Sequence, residues 1–443
     1  MDILQNDKPG ARLQKGLTIE YVSYILLLLY IFTMPFVSAF AFTGTISLPL
    51  IFAVFLFILM AANIVKTGKL PSGFFGFDIL IILCFLFLSI FSFLINGVGI
   101  AISFNHTVAY ISTFLLFYIA IKFTLFLIPD KNLLLKRILQ FISYTTLISA
   151  LYGNVEFISS NAFGVNLNDF IPRPSIYSDP YTPVVLSLFY RSRGFAYESG
   201  VYTQMLEVFA PVTIYYIFFS GYCKWVKGVK IFLTITLFLS FIFAASSATF
   251  IAFPIAIFIS CCLYIKKIFH FFTHRSCFYY LKIFIVLIIT YIVNNYLSLY
   301  SSVLLSLTEK MNSYSMYDRQ SRIDFFNSTF SRFSPLKKMI GQGPAATDII
   351  GVDGWHVVVS LYYNVTFELG FIGLFLLVFL FGYISFYTLS IKSKIGFFLN
   401  IAVISGIIHY YVVHDFWVPW VWFIAVFSIF IKKKFDSGKK NLL

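Results

Sequence analysis

Phe77-Asp78-Ile79-Leu80-Ile81-Ile82-Leu83-Cys84-Phe85-Leu86-Phe87-Leu88-Ser89-Ile90-Phe91-Ser92-Phe93-Leu94-Ile95 carries one charge, at its second position. A helix needs about 20 apolar residues to cross the hydrocarbon core of a bilayer. The run reads as a membrane span. Working outward, the same reading applies to 17–37, 45–65, 107–128, 134–153, 199–219, 229–245, 248–265, 281–299, 363–390, 396–411 and 415–431. The segment 134–153 fits least well, with Lys136, Arg137 and Gln140 near its start. The expected fold class is therefore all-α: one polytopic transmembrane bundle over 1–443, with about twelve spans.

Composition agrees. Of 443 residues, 60% are hydrophobic and only 11% are charged, against about 25% charged in soluble domains. So few charges cannot solvate a soluble fold, and a chain this apolar does not stay disordered in water. Lys and Arg outnumber Asp and Glu by 32 to 18. In a soluble protein that excess suggests nucleic acid, but no basic block lies on a reader helix here, and no nucleic-acid partner is expected. The five cysteines, Cys84, Cys223, Cys261, Cys262 and Cys277, fall in spans or inner loops, with no CxxC pair. Neither a disulfide framework nor a zinc site follows from them.

The basic residues also give orientation. The short turns 38–44, 96–106, 246–247 and 412–414 hold no Lys or Arg. The opposite turns hold Lys66 and Lys69, Lys131, Lys224 and Lys227, Lys266 and Lys267, Lys392, and the tail lysines Lys432, Lys433 and Lys434. Basic loops stay inside, so both termini are expected in the cytoplasm. Ala39-Phe40-Ala41 mimics a signal-peptide cleavage site, but the apolar run before it is too long for a signal core. It reads as an uncleaved first span. No internal repeat points to an inverted-repeat transporter.

Two outer segments are long, 154–198 and 300–362, and they hold all nine of the outer Lys and Arg. Long loops escape the charge rule, yet aromatic, basic loops above a bilayer also suit an anion. The first ends in Tyr190-Arg191-Ser192-Arg193-Gly194-Phe195-Ala196-Tyr197-Glu198. Guanidinium groups grip phosphate oxygens bidentately and stay charged; the plainer reading is an anchor among lipid headgroups. The second carries Arg319, Arg322 and Arg332 around a face of Ile323, Phe326, Phe330 and Phe333. That 3–4–3 spacing predicts a short amphipathic helix in the membrane interface, or else one packed on the bundle. A glycine turn follows, Gly341-Gln342-Gly343-Pro344, then His356 ahead of the tenth span. Glu207 and Glu368 are the clearest acids inside spans, where ionisable groups face an interior. Asp78, Lys122 and Glu20 lie near span ends, where snorkelling accounts for them.

These features together resemble the O-antigen polymerase and O-antigen ligase superfamily of bacterial envelope enzymes. Arg193-Gly194-Phe195 with Glu198 resembles that family's Arg-x-Gly-Phe-x-x-Glu-Pro pattern, lacking the x before glycine and with Ser199 in place of proline. Arg332 and Gly343 resemble an arginine–glycine spacing of polymerase loops, and Met339-Ile340-Gly341-Gln342-Gly343-Pro344 resembles the family's glycine turn. His356 with Glu368-Leu369-Gly370 and Gly373 resembles its His…Glu-x-Gly-x-x-Gly stretch, with Val357 where a small polar residue is usual. The resemblance implies transfer of a growing glycan from undecaprenyl diphosphate to a lipid-linked repeat unit on the periplasmic face. It implies a lipid-linked oligosaccharide and membrane lipid as partners, and admits a co-polymerase that sets chain length.

On that reading negative charge grows on the departing diphosphate, so preorganised cations supply the main stabilisation. Arg191, Arg193, Arg319, Arg322 and Arg332 are the candidate diphosphate ligands. His356, Glu198 and Glu368 are the candidate bases for the acceptor hydroxyl. No cofactor and no metal are expected, since neither long loop has an Asp-x-Asp and the turn 38–44 has no acid. Two other functions stay open: a ligase transferring glycan to lipid A–core, and a flippase for lipid-linked oligosaccharides. An A/T-rich composition of Phe, Ile, Tyr and Lys leans toward the polymerase.

Overall fold

The structure is a computed structural model and describes residues 18–42, 46–96, 99–174, 185–186, 189–272, 314–347 and 360–440. It is an all-α, multi-span membrane protein. Helices lie over eleven of the twelve predicted segments, and the other, 281–299, is outside the described residues. Among the described residues, six helices are long and apolar enough to cross a membrane: Leu48–Thr67, Phe77–Asn96, Ile100–Leu127, Lys227–Ala244, Ser247–Tyr264 and Leu361–Ser390.

The helices begin and end where local chemistry says they should. In α1 (Ile19–Thr33) the Thr18 hydroxyl accepts the Tyr21 N–H, a side-chain cap. α2 (Leu48–Thr67) has Pro49 in its first turn and stops at Gly68, whose φ of 62° no side chain opposes. α3 (Phe77–Asn96) and α4 (Ile100–Leu127) follow, the latter wound as a π-helix over Thr113–Ala120. The Asp130 carboxylate caps α5 (Lys131–Ala162) by accepting two backbone N–H groups. That helix runs well past its predicted end at 153, so the first long loop opens as helix. After α6 (Ser199–Phe218), α7 (Lys227–Ala244) and α8 (Ser247–Phe272) come α9 (Tyr314–Ser331), α10 (Pro335–Ile340), α11 (Leu361–Ser390), α12 (Lys394–His409) and α13 (Pro419–Lys440). A two-residue antiparallel pair, β1 (Val185–Leu186) and β2 (Phe189–Tyr190), interrupts the first loop.

The last helix is the centre of the bundle. From Trp420 to Ile431 every side chain of α13 is buried. A helix apolar on all sides has to be enclosed on all sides, and α4, α6, α11 and α12 enclose this one. Outer faces behave oppositely. Phe55 and Ile58 on α2, Leu83, Phe87 and Leu94 on α3, and Phe232 and Ile235 on α7 are exposed. A belt of large apolar side chains of that extent faces lipid.

Polar contacts tie the helices where lipid tails give no hydrophobic drive between them. The Asn154 amide donates to the Thr236 carbonyl, and Ser240 donates to Asn154. Asn400 joins Ser260 on α8 to Thr388 on α11. Asp78 and Lys122 correct the snorkelling expectation. Both are fully buried, the Lys122 ammonium 2.5 Å from the Asp78 carboxylate, with the Tyr118 hydroxyl donating at 2.8 Å. Proximity to a span end had suggested solvent, but α3 and α4 pack there and close it off.

α9 carries its aromatic face against the bundle. Phe326 and Phe333 bury against Phe367 and Ala346, with Phe330 and Tyr363 alongside.

Candidate functional site

The carboxylate of Glu368 is the focus of a connected polar site that includes a sequence candidate. Its side chain is fully buried on α11. One oxygen accepts the Tyr110 hydroxyl at 2.6 Å; the other accepts the Ala345 N–H at 3.0 Å. His106 Nδ1 lies 3.1 Å from that second oxygen. His106 stacks on Tyr110 one turn along α4, ring centroids 5.1 Å apart.

The glycine turn builds this site. α11 breaks at Gly370, where φ is 68° and ψ −168°, a region open in practice only to glycine. Into the break fits Gly341, with φ of 81°. Its N–H continues α10 while the Gln342 and Gly343 N–H groups donate to the Phe367 and Glu368 carbonyls. Ser92 at the end of α3 donates to the Ile340 and Glu368 carbonyls, and Asn96 donates to the Gly341 carbonyl. The Phe367 and Glu368 carbonyls at the break thus meet partners inside protein, as membrane depth demands. Ala345 holds a left-handed φ of 60° and so turns its N–H onto the carboxylate. A Cβ on Gly341 would fall 2.0 Å from the Glu368 carbonyl oxygen. Gly341→Ala is expected to cost at least about 2 kcal/mol and to lower the yield of folded, monodisperse protein on size-exclusion chromatography.

A second cluster fixes the end of the first long loop. Glu156, near the end of α5, accepts the Arg193 and Gly194 N–H groups at 3.1 and 2.8 Å and the Asn168 amide at 2.6 Å. Arg173 donates to the Gly194 and Ala196 carbonyls and to Asn168. Burial, and then the charge of Arg193, push the Arg173 guanidinium down to about 10, so it remains charged at neutral pH. Phe195 stacks between Tyr152 and Phe36, centroids 4.4 and 4.6 Å away. Gly194 is required: φ is 56°, and a Cβ would lie 2.7 Å from the Tyr202 ring.

The remaining candidates are placed as follows. Arg193 is mostly buried and reaches the Tyr197 carbonyl at 3.4 Å; Arg191 reaches the Ala245 carbonyl, also at 3.4 Å. Glu198 is the extended residue that opens α6. Arg322 is half-buried on α9, and Arg332 is exposed just beyond it. Arg319 belongs to α9, but its side chain, like the whole of His356, lies outside the described residues. The structure therefore brings Glu368 together with the glycine turn and with two residues the sequence reading passed over, His106 and Tyr110. Their shared helical face, four residues apart, was the available signal.

A third pair was half seen. His409 on α12 places Nδ1 3.0 and 3.1 Å from the two oxygens of Glu207 on α6, with both side chains fully buried. Glu207 was noted as intramembrane; His409, inside a predicted span, met the same criterion. Among the described residues no group of three or more His, Cys, Asp or Glu is arranged to hold a metal ion.

Fold and site together define a multi-span helical membrane protein with a buried carboxylate beside a half-buried imidazole at a broken helix. No protein-family model and no curated protein matches the chain.

Proposed function

We propose that the chain is a metal-independent glycosyltransferase of the bacterial inner membrane. It polymerises a surface polysaccharide, moving the growing glycan from undecaprenyl diphosphate to a lipid-linked repeat unit. In this reading the bundle has about twelve spans and both termini are cytoplasmic. The segments 154–198 and 300–362 are periplasmic, with α9 at the membrane interface.

The observation that carries the reading is the Glu368–His106 pair, built on a glycine turn that belongs to the second long loop. An imidazole held against a carboxylate is the usual arrangement of a proton acceptor. Here the acceptor hydroxyl would attack the anomeric carbon as its proton passes to the base. The bond from that carbon to the diphosphate oxygen breaks, and its electron pair leaves with undecaprenyl diphosphate. Arg191, Arg193, Arg319, Arg322 and Arg332 are the cations assigned to that leaving charge. His106 joins His356, Glu198 and Glu368 among the bases. The clamp of Glu156, Asn168 and Arg173 orders the loop on which Arg191 and Arg193 stand.

Two substitutions test the assignment in cells by polysaccharide chain length on gels. Arg193→Ala is expected to shorten chains strongly, and Arg193→Lys to restore them in part, since lysine keeps the charge but not the fork. Wild-type chains from both would remove Arg193 from the proposal. Deleting the gene is expected to leave core with a single repeat; bare core would instead point to a ligase. Arg173→Ala is expected to lower output about tenfold through loss of loop order, with limited proteolysis between 163 and 198 rising in parallel.

A further inference from the structure

The turn between α12 and α13 presents an aromatic platform beside the Glu368 pair. Trp417 is 40% exposed. Its ring centroid is 6.1 Å from His106 and 5.5 Å from His414. The turn beneath it is rigid. Phe416 is buried, packed against Tyr110, Phe114 and Trp422 at 5.0 to 5.3 Å. The Trp422 indole N–H donates to the Phe416 carbonyl at 2.7 Å. An exposed indole on a fixed turn binds without the entropy of ordering a side chain.

We propose that Trp417, flanked by His106 and His414, is a sugar-binding platform that seats a pyranose ring of the acceptor next to the Glu368–His106 pair. The negative face of the indole attracts the slightly positive axial C–H groups of a pyranose. Such a ring, lying at van der Waals distance on the indole, carries hydroxyls around its rim. Imidazoles on two sides can donate to or accept from them. The ring then lies beside His106, whose Nδ1 is 3.1 Å from the Glu368 carboxylate, so the imidazole stands between the acceptor and the acid. A Trp that served only to anchor the protein among lipid headgroups would need neither imidazole nor proximity to Glu368. The inference names the substrate class of the proposed transferase site and rests on that reading.

The test uses the full-length protein in nanodiscs. The probe is the repeat-unit oligosaccharide released by mild acid from the lipid diphosphate carrier of the cells that encode the chain, and binding is followed by saturation-transfer NMR. Trp417→Ala is expected to weaken binding about tenfold, Trp417→Phe by less than about threefold, and Trp417→Leu as much as alanine. Leucine retains the apolar bulk that a lipid anchor needs, so equal binding by Trp417→Leu and wild type would overturn the proposal. So would the absence of probe binding to the wild type. Glu368→Gln is expected to bind the probe normally while losing transfer. If its transfer is normal but binding still depends on Trp417, the platform stands and the catalytic reading falls. If transfer is lost and binding is indifferent to Trp417, the platform falls alone.

Discussion

Exchanging Glu368 for glutamine is expected to lower glycan transfer about a hundred- to ten-thousandfold, the range of a lost acid–base contribution. The amide keeps the volume of the side chain. Its oxygen can still accept the Ala345 N–H, and the Tyr110 hydroxyl can rotate to accept from the new NH2. The fold should therefore hold while the negative charge facing His106 disappears. Glu368→Ala is the contrasting variant. It strips acceptors from two buried donors, at about 1–3 kcal/mol each, and is expected to lose folded protein as well as activity. Thermal unfolding separates the two effects. A glutamine variant that unfolds normally and makes wild-type chains at the wild-type rate would take Glu368 out of the chemistry.

The largest stability effect is expected at Glu207 and His409. Removing one partner of a fully buried pair leaves the other without compensation, a loss of about 3–5 kcal/mol. His409→Ala and Glu207→Ala should each lower the unfolding temperature steeply. The double replacement Glu207→Leu with His409→Phe is expected to recover most of that loss, because two apolar groups of similar volume leave nothing unsatisfied. Measured as a double-mutant cycle whose single variants are Glu207→Leu and His409→Phe, the coupling should exceed about 1 kcal/mol. Simple additivity of the two losses would show that the 3.0 Å contact contributes no specific energy. The pair also bears on transport, the competing function, since a flippase needs charge inside its helices. Here Glu207 faces His409 and Asp78 faces Lys122.

Some of the site was legible beforehand and some was not, for reasons that differ by residue. Glu368 and Glu207 declared themselves, because a carboxylate within an apolar run is costly enough to need a purpose. Gly341 and Gly370 were visible as a turn and a motif. That a Cβ on Gly370 would strike Met339 and Gly341, and one on Gly341 would strike Glu368 and Leu369, required the distance between α10 and α11. His106 was assigned to a short outer turn, since α4 begins at Ile100 rather than at 107. Arg173 was one basic residue among nine; only its bonds to Gly194 and Ala196 distinguish it.

Local composition alone determined that this chain is helical and lives in a bilayer. Hydrophobicity summed over about twenty residues is a property of the segment, and it needs no knowledge of neighbours. Which helix would be central, which acid would meet which imidazole, and which arginine would hold a loop were decided by packing. α13 looks like any other span in sequence, yet it is surrounded on every side, as α6 is from Val201 to Thr213. Contacts between residues as far apart as Tyr110 and Glu368 depend on how helices cross, and that geometry is set by the whole bundle rather than by any stretch of it.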